Sequence, residues 1–374
     1  MTPWPAPASV GDPVETVDTP ALIVELDPLE RNLARMADAA RRAGVALRPH
    51  AKMHKCAALA LRQMALGAVG VCSQKVAEAE ALVDAGVNDV LISNEVVGAK
   101  KLERLACLAG RARIAVCVDD AGNVADLGRA VRAAGTKLGV LVEIDVGARR
   151  CGVAPGAQAV ALAQAIHAEP GLVFGGLQAY QGRAQHLRLP AARQAAIEAA
   201  SAAVRETREA LLAAGLACPH VTGAGTGTYM LEAASGVYTE LQAGSYAFMD
   251  ADYALNQQAA PFEHALFVLT TVMSRAPDRA VLDAGLKAHS IDSGMPVPSA
   301  DARGLPLAGL EVRRVSDEHS VLVATTGSLP TLGAKLRLIP GHIDPTINLH
   351  DWIIAVRNNR VEELWPVVAR GAHF

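Results

Sequence analysis

The pattern of apolar and polar positions divides the chain into two parts. From residue 21 to residue 244, short apolar runs alternate with longer amphipathic segments, and the short runs lack the strict alternation of half-exposed strands. Continuous apolar runs are typical of strands that are buried on both faces, as in a parallel sheet covered by helices. After a first strand at residues 21–26, the predicted strands are residues 46–49, 69–73, 90–94, 114–118, 140–145, 175–180, 220–223 and 240–244.

Eight strand–helix units after the first strand predict a closed (β/α)8 barrel, or TIM barrel, rather than an open doubly wound sheet. The first strand is then surplus, and we expect it to join the second domain. The helix that follows it is predicted to begin with Asp27 as its N-cap and Glu30 in a capping box, and to end at Gly44. The longest predicted helix spans residues 191–214.

Beyond residue 262 the pattern becomes one of strands alone. These predicted strands are residues 265–274, 280–283, 310–315, 320–324, 335–339 and 352–367, with no helix between them. Asn358-Asn359 lies between two apolar runs and predicts a two-residue hairpin turn. We therefore divide the α/β chain into an N-terminal arm and strand that join the β-domain (1–26), a barrel (27–262) and an all-β C-terminal domain (263–374).

Composition excludes several classes of protein. The 374 residues carry a formal net charge of -3, which gives no electrostatic indication of nucleic acid or an anionic membrane as a partner. The chain has neither an apolar stretch long enough to span a membrane nor the basic and apolar regions of a signal peptide. Its six cysteines are scattered without a C-x-x-C pair, so the sequence indicates a reduced cytoplasmic protein without disulfides or structural zinc.

A lysine stands at one predicted strand end. In Leu47-Arg48-Pro49-His50-Ala51-Lys52, the strand runs into a helix start and places Lys52 where parallel α/β folds bind ligands. Lys52 is either a solvated surface lysine or an amine that forms a Schiff base with a carbonyl compound. For the second role we expect its neighbours, His50, His54 and Lys55, to lower its pKa by like charge and partial burial.

Two later strand ends carry loops suited to a phosphate. Gly223-Ala224-Gly225-Thr226-Gly227 follows an apolar strand, and glycines with hydroxyls let backbone N–H groups close around an anion. A tight connecting loop is the alternative, and the stretch is neither a Walker A loop nor a Rossmann fingerprint. Late loops are nevertheless the usual phosphate site of barrels, and Gly244-Ser245-Tyr246 could complete the cradle.

Other strand ends carry side chains whose roles the residues leave open. Arg150 follows the strand ending in Glu143-Ile144-Asp145, and it either holds a phenolate or carboxylate or pairs with a neighbouring acid. Tyr180 ends the next strand, and His186 follows in a loop, where a histidine is either structural or catalytic.

A metal pair is the fourth candidate. His342 and Asp344 lie two residues apart in a segment predicted to be extended, so they would share a face and could chelate Mn²⁺, Mg²⁺, Co²⁺ or Zn²⁺. A histidine–carboxylate hydrogen bond is the alternative. His350 and Asp351 are expected to support the pair from outside.

These stretches together resemble the D-threonine aldolase group, which is related to D-serine dehydratases and, more distantly, to alanine racemase. The resemblance covers residues 17–371 and is carried by Arg48–Lys52, Cys72–Lys75, Asn94-Glu95, Arg150–Gly152, Gln178–Tyr180, Gly225–Gly227, Glu240–Tyr246, Asp283–Lys287 and Asp317–His319. The run Lys287–Gly294 is similar to the 3-hydroxy-D-aspartate aldolases in particular.

The resemblance implies a fold-type III pyridoxal 5′-phosphate (PLP) enzyme, usually a homodimer. It implies that Lys52 binds PLP as a Schiff base, that His186 helps to remove a hydroxyl proton, and that a divalent metal, most readily Mn²⁺ or Mg²⁺, is bound by His342 and Asp344. Cofactor contacts are implied for Gln74, Arg150, Tyr180, Gly225, Thr226, Gly227, Gly244, Ser245 and Tyr246. Ala224 departs from the usual three glycines, and we expect function to survive this change.

The implied reaction cleaves a 3-hydroxy-D-amino acid to glycine and an aldehyde: acetaldehyde from D-threonine, or glyoxylate from 3-hydroxy-D-aspartate. For hydroxyaspartate, His289 or Arg183 would hold the second carboxylate. One alternative is a dehydratase that releases ammonia and a 2-keto acid. In related dehydratases, however, the metal pair looks like His-x-Cys, whereas this chain has His342-Ile343-Asp344. Another is a PLP-binding homeostasis protein without turnover.

Overall fold

The computed structural model describes residues 4–258 and 261–374; residues 1–3 of the predicted arm and residues 259–260 of the predicted barrel lie outside this description. The strands of the described chain are β1 (Ala21–Glu25), β2 (Ala46–Leu47), β3 (Val71–Ser73), β4 (Asp89–Glu95), β5 (Arg113–Val118), β6 (Leu138–Glu143), β7 (Leu172–Ala179), β8 (His220–Gly223), β9 (Glu240–Leu241), β10 (Leu266–Ala276), β11 (Arg279–Leu282), β12 (Val297–Asp301), β13 (Leu310–Val315), β14 (Ser320–Ala324), β15 (Lys335–Ile339), β16 (Trp352–Arg357) and β17 (Arg360–Pro366).

The strands from β2 to β9 form a closed parallel barrel. They run in the order β2-β9-β8-β7-β6-β5-β4-β3, and β2 pairs with β9 through Ala46 and Glu240. Backbone hydrogen bonds between the ends of the order close the ring: the N–H of Cys72 donates to the carbonyl of Pro49 at 2.8 Å. The predicted (β/α)8 barrel is confirmed.

Most of the helices cover the outside of the barrel, whereas the last one belongs to the C-terminal domain. Their bounds are α1 (Leu26–Ala43), α2 (Ala57–Ala65), α3 (Val76–Asp84), α4 (Ala99–Leu108), α5 (Ala121–Ala134), α6 (Ala157–Ala168), α7 (Pro190–Ala213), α8 (Tyr229–Ala234), α9 (Ala251–Ala254) and α10 (Ile343–Ile347). Gly44 ends α1 in the left-handed conformation, with φ of 67°. The predicted cap at Asp27 is wrong, because α1 begins at Leu26 and Asp27 lies in its first turn.

The second sheet has the order β13-β14-β11-β10-β1-β16-β17, and β15 pairs with both β10 and β12. Strand β1 lies in the middle of it, antiparallel to β10 and parallel to β16, so the first strand of the chain belongs to the C-terminal sheet. The predicted hairpin is confirmed: β16 and β17 pair around Asn358 and Asn359, whose φ angles of 50° and 58° suit a type I′ turn.

Two elements of the C-terminal domain were not predicted. Strand β12 contains Pro298, and proline disfavours strands. Pro298 pairs with Leu338 of β15 beside a register shift, and β15 is the one named strand of the described chain that β12 pairs with, so the proline is accommodated at the edge of the sheet. Helix α10 interrupts a region predicted to be all-β. Its five residues form too short a segment to show a helical period.

An apolar core joins the two halves. Leu29 of α1, Phe248 beyond β9, and Leu338 and Ile353 of the second sheet belong to one fully buried cluster. Burying each side chain of this size stabilises the fold by roughly 1.5–3 kcal/mol. The second domain is therefore held against the barrel, and the chain after β15 lies over the carboxyl ends of the barrel strands.

None of the helices in the described ranges is long and apolar enough to cross a membrane. The six cysteines form no disulfide.

Candidate active site

A cavity of about 230 Å³ lies at the carboxyl ends of the barrel strands. The second domain contributes Asp344 to its wall, opposite residues from several barrel strands. The predicted site residues that line it are Lys52, Gln74, Arg150, Tyr180, Gly225, Thr226, Gly244, Ser245 and Asp344. The lining also includes residues for which no catalytic or cofactor contact was predicted: His50, Met53, Ser93, Gln178, Ala224, Gln242 and Tyr253.

Lys52 reaches across this cavity to the second domain. It lies on the 3₁₀ turn Ala51–Met53 directly after β2, and its Nζ donates a hydrogen bond to Oδ2 of Asp344. The side chain is 41% exposed, so a small molecule can reach the amine. The partial removal of the amine from water disfavours its charged form, but the attraction of Asp344 outweighs this cost, and the pKa of Lys52 is raised above its ordinary value.

The expected lowering of the Lys52 pKa by its neighbours is therefore wrong. Burial, followed by the charge of Lys52, lowers the pKa of His50 well below its ordinary value, and burial lowers that of His54 to about 4. Lys55 forms an ion pair with Glu78 at 3.1 Å. The histidines are neutral and the second lysine is paired, so these neighbours supply little net charge near the Lys52 amine.

His50 organises the floor of the cavity instead. Its Nδ1 accepts from the backbone N–H of Lys52 at 3.4 Å. Its Nε2 lies 2.9 Å from Nε2 of Gln74 and 3.1 Å from Oγ of Ser93. This neutral imidazole connects the lysine turn to the ends of β3 and β4, and it holds Gln74 at the cavity wall.

Arg150 lies near a neighbouring acid, which is one of the two interpretations that the sequence left open, and its binding of a phenolate or carboxylate stays a prediction. Its guanidinium lies 5.8 Å from the ring centre of Tyr180 at the cavity wall, and its Nη2 lies 3.9 Å from Oε1 of Glu143. Burial and then the neighbouring Glu95 raise the pKa of Glu143 to about 8. A cation and a phenol therefore face the cavity together, with the buried carboxyl of Glu143 behind the cation.

The two glycine loops are joined to each other at the cavity. Oγ1 of Thr226 accepts from the backbone N–H of Tyr246 at 2.9 Å. A Cβ atom on Gly244 would lie 2.9 Å from the carbonyl oxygen of His50, and one on Gly225 would lie 2.4 Å from Oε1 of Gln185, so neither position has room for a side chain. The loops thus bring backbone groups close to the cavity.

Two predicted cofactor contacts do not line the cavity. Gly227 donates its N–H to Oε1 of Gln185 at 3.0 Å. The side chain of Tyr246 is fully buried, and its hydroxyl accepts from Nε2 of Gln63 at 3.0 Å. Their direct contact with a cofactor remains a prediction, whereas their support of the two loops is visible.

Ala224 has a φ of 72°, in the left-handed region that glycine prefers. Because this conformation already strains an alanine, we expect Ala224→Val to lower the free energy of unfolding by about 2 kcal/mol or more. For Ala224→Gly, released strain offsets the lost methyl group and the greater freedom of the unfolded chain, so a change within about 1 kcal/mol is expected. Urea denaturation of the three proteins measures both values; equal stability of the valine variant and the wild type would contradict the strain.

A buried hydrogen-bond network supports the glycine loop from below. Oε1 of Glu232 accepts from the hydroxyl of Thr228 at 2.7 Å, and Oγ1 of Thr228 accepts from Nε2 of Gln185 at 2.8 Å. Glu232 is 1% exposed, and its second oxygen has no partner within the described residues. Burial raises the pKa of this carboxyl from 4.5 to about 7.

This network gives a pH dependence of stability. Because the folded protein holds the Glu232 proton more tightly than the unfolded chain does, the contribution of this carboxyl to stability is fully present below pH 4.5 and is lost as pH rises through about 7. The loss is about 3 kcal/mol, and Glu232→Gln should remove it. Urea denaturation at several pH values between 4.5 and 8 gives the free energy of unfolding of the wild type and of the Glu232→Gln variant. An unchanged pH slope in the glutamine variant would show that Glu232 ionises normally in the folded state.

His186 lies at the edge of the cavity rather than in its wall. It ends the 3₁₀ turn Gly182–His186, and its side chain is 52% exposed. Its Nδ1 lies 2.6 Å from Oδ2 of Asp252, and its ring lies 5.7 Å from that of Tyr253, which lines the cavity. Asp252, which was not predicted, also accepts from Arg188 and so fixes the histidine through one ring nitrogen.

The metal pair is close, but it is not arranged as predicted. Nε2 of His342 lies 3.9 Å from Oδ1 of Asp344. The segment is not extended throughout: His342 is the N-cap of α10, and Asp344 lies in its first turn. The described residues contain no group of three or more histidine, cysteine or acidic side chains placed to hold a metal.

The predicted outer support by His350 and Asp351 is wrong. Nε2 of His350 donates to the carbonyl of Ala288 at 2.7 Å, and Asp351 pairs with Arg370 at 3.2 Å. Nδ1 of His342 lies 2.8 Å from Oδ2 of Asp292 and 3.4 Å from Oγ of Ser293.

Comparisons with known proteins match both halves of the chain. Residues 24–252 match the alanine racemase N-terminal domain family, and residues 265–356 match a putative serine dehydratase domain. The chain is 50% identical over 371 residues to the D-threonine aldolase of an Arthrobacter species, and the matched region covers 98% of this chain and 96% of that protein. It is 49% identical over 379 residues to the 3-hydroxy-D-aspartate aldolase of Paracoccus denitrificans, with the same two shares covered.

The chain belongs to the D-threonine aldolase and 3-hydroxy-D-aspartate aldolase family. The crystal structure of D-threonine aldolase from Filomicrobium marinum agrees, with a TM-score of 0.96 at 55% identity over 99% of this chain and 100% of that one. The predicted family is confirmed, and with it the enzyme class: the chain is a carbon–carbon lyase of the PLP-dependent aldolase type.

A dehydratase is a more distant relative. The chain is 31% identical to the D-threo-3-hydroxyaspartate dehydratase of a Delftia species, over 88% of this chain and 92% of that protein. The aldolases of this family are therefore nearer in sequence than the dehydratase that served as the main alternative.

Proposed function

We propose that this enzyme uses PLP and a divalent cation to cleave 3-hydroxy-D-amino acids, D-threonine or 3-hydroxy-D-aspartate, into glycine and an aldehyde. The observation that carries the proposal is the meeting of Lys52 and Asp344 in one cavity, although 292 residues separate them in the chain. A lysine suited to a carbonyl cofactor and a carboxylate suited to a cation are thus adjacent.

The residues around the cavity fit PLP by their chemistry. Lys52 offers an amine for the cofactor's carbonyl, Arg150 and Tyr180 offer a cation and a phenol for its ring substituents, and the loops at Gly225 and Ser245 bring backbone groups close to the cavity as a phosphate requires. When bound, PLP supplies an electron sink for the carbanion left when a bond to Cα breaks.

The metal pair also fits a divalent cation. An imidazole nitrogen and a carboxylate oxygen are suitable ligands for Mn²⁺ or Mg²⁺, and Co²⁺ or Zn²⁺ accept the same donors. With two protein ligands, the cation would have coordination positions left for substrate oxygens. The cation supplies Lewis-acid polarisation of the substrate hydroxyl. A cation held by His342 and Asp344 would act at the Lys52 side of the cavity, because Asp344 contacts Lys52 directly.

His186 is proposed as the group that takes the hydroxyl proton, directly or through a water molecule. Asp252 accepts at Nδ1 and thereby leaves Nε2 as the basic nitrogen, the arrangement by which a carboxylate orients a catalytic histidine. The half-exposed position of His186 at the cavity edge allows a proton to pass to solvent.

Of the two groups expected to bind a second substrate carboxylate, one is excluded by its burial. His289 is fully buried, does not line the cavity, and lies 3.1 Å from Oγ of Ser320. Arg183 is exposed on the same 3₁₀ turn as His186 and remains the proposed group for hydroxyaspartate. We further propose that the protein is a homodimer and that it is cytoplasmic; the six free cysteines suit the second of these proposals.

The substrate is tested by steady-state kinetics of the PLP-loaded enzyme with Mn²⁺. D-threonine and both D-configured 3-hydroxyaspartates are compared by kcat/KM, with L-threonine as the stereochemical control. Turnover of a D-substrate without turnover of L-threonine supports the proposal, and the faster substrate is the preferred one. Turnover of none of the three D-compounds would contradict it and favour a PLP-binding homeostasis protein.

A further inference from the structure

The loop of residues 289–294, between β11 and β12, packs directly on the segment that carries the metal pair. The backbone N–H of Ser290 donates to Oγ1 of Thr346 in α10 at 3.1 Å. A Cβ atom on Gly341 would lie 2.1 Å from the carbonyl oxygen of Gly294, so the two backbones touch next to His342. The loop is therefore held against the metal pair through main-chain contacts.

Two members of this loop lie next to Nδ1 of His342. Oδ2 of Asp292 lies at 2.8 Å and Oγ of Ser293 at 3.4 Å, so the closer partner of the imidazole is the carboxylate of Asp292. The hydroxyl of Ser290 donates to Oδ1 at 2.7 Å, and that of Ser293 donates to Oδ2 at 3.2 Å. Although this carboxylate is 51% exposed, both of its oxygens are bound by neighbouring hydroxyls, which orient it toward the ring.

A carboxylate on one imidazole nitrogen determines what the other nitrogen can do. When Nδ1–H donates to Asp292, the imidazole is in the tautomer that leaves the lone pair on Nε2, and the negative charge makes that nitrogen a better ligand. Nε2 is the atom on the side of Asp344, at 3.9 Å from its Oδ1. Asp292, His342 and Asp344 therefore form a row that leads toward the cavity.

We propose that Asp292 is a positioning residue of the metal site, setting the tautomer and orientation of His342 and thereby the affinity for the cation. This inference rests on the proposed role of His342 and Asp344 as the metal pair. It gives a function to the run Lys287–Gly294, which no step of the proposed reaction otherwise uses. A merely structural ion pair would stabilise the loop without changing metal affinity.

The test is the dissociation constant of Mn²⁺, measured by calorimetry on the PLP-loaded enzyme without substrate. Asp292→Ala should raise it about 10- to 100-fold, and Asp292→Asn should raise it less, because the amide oxygen can still accept from Nδ1–H. Asp278→Asn is the matched control: it removes the same charge from an exposed turn between β10 and β11 and should leave the constant unchanged. Melting temperatures without metal verify that the variants fold.

Asp344→Asn separates failure of this inference from failure of the metal site. If Asp344→Asn loses Mn²⁺ while Asp292→Ala and Asp292→Asn bind it as the wild type does, the positioning role is wrong and the proposed metal pair stands. If all three variants bind Mn²⁺ as the wild type does, the metal pair itself is wrong, and the inference falls with it. Graded weakening, from asparagine to alanine at position 292, supports the proposal.

Discussion

Replacing Lys52 by alanine is expected to abolish both turnover and the long-wavelength absorbance that PLP shows when a lysine holds it. Lys52 is the amine that lines the cavity, and PLP without a covalent attachment loses its orientation toward the substrate. The measurement is the absorbance spectrum after incubation with PLP and removal of the excess by gel filtration, followed by an activity assay.

Lys101→Ala is the matched control, because Lys101 is an exposed lysine of α4 on the outside of the barrel. We expect its spectrum and activity to equal those of the wild type. A Lys52→Ala protein that retains both the absorbance band and activity would show that another amine holds the cofactor, and the assignment of this cavity would be wrong.

The second large effect is expected from removing the metal. A Lewis acid at the substrate hydroxyl contributes several kcal/mol to the transition state, so chelation should lower kcat/KM by roughly 10³-fold or more. Adding Mn²⁺ in excess of the chelator should restore the activity. Asp344→Ala should show the same loss without restoration, because it removes one of the two protein donors.

The spectrum distinguishes loss of the metal from loss of the cofactor. Lys52 binds PLP through its own amine, so we expect the absorbance band to persist in the chelated enzyme while activity disappears. Full activity of the chelated enzyme, with metal content confirmed to be negligible, would contradict a catalytic role for the pair His342 and Asp344.

Apolar patterning was sufficient to predict the barrel, because its strands are buried on both faces and its helices are amphipathic. The patterning failed where local signals oppose tertiary pairing. Pro298 marks β12 as a loop although β15 accepts it at the sheet edge, and α10 is a single turn that begins at the metal pair and shows no period. Strand β1 was expected in the second domain. Its pairing with β10 and β16 could not be predicted, because the residues of β1 alone do not specify which strands lie beside it.

The site shows the same division between local and long-range information. Lys52 and the glycine loops could be predicted because each lies at a strand end, and parallel strand ends meet at one edge. The direction in which the pKa of Lys52 is shifted could not be predicted from the local sequence. Asp344, which lies 292 positions away in the chain, raises this pKa. Asp252 has no distinctive local pattern, and Asp292 lies in the recognised run Lys287–Gly294, which by itself assigns it no role. The contact of each with a histidine is seen only in the folded chain.

The most direct test of the proposed reaction is the identity of its products. PLP-loaded enzyme with Mn²⁺ is incubated with D-threonine and with D-configured 3-hydroxyaspartate, and glycine, ammonia and carbonyl products are quantified together. Our account predicts glycine and an aldehyde in equal amounts, acetaldehyde or glyoxylate according to substrate, with no ammonia. Ammonia and a 2-keto acid in place of glycine would contradict the account and establish a dehydratase.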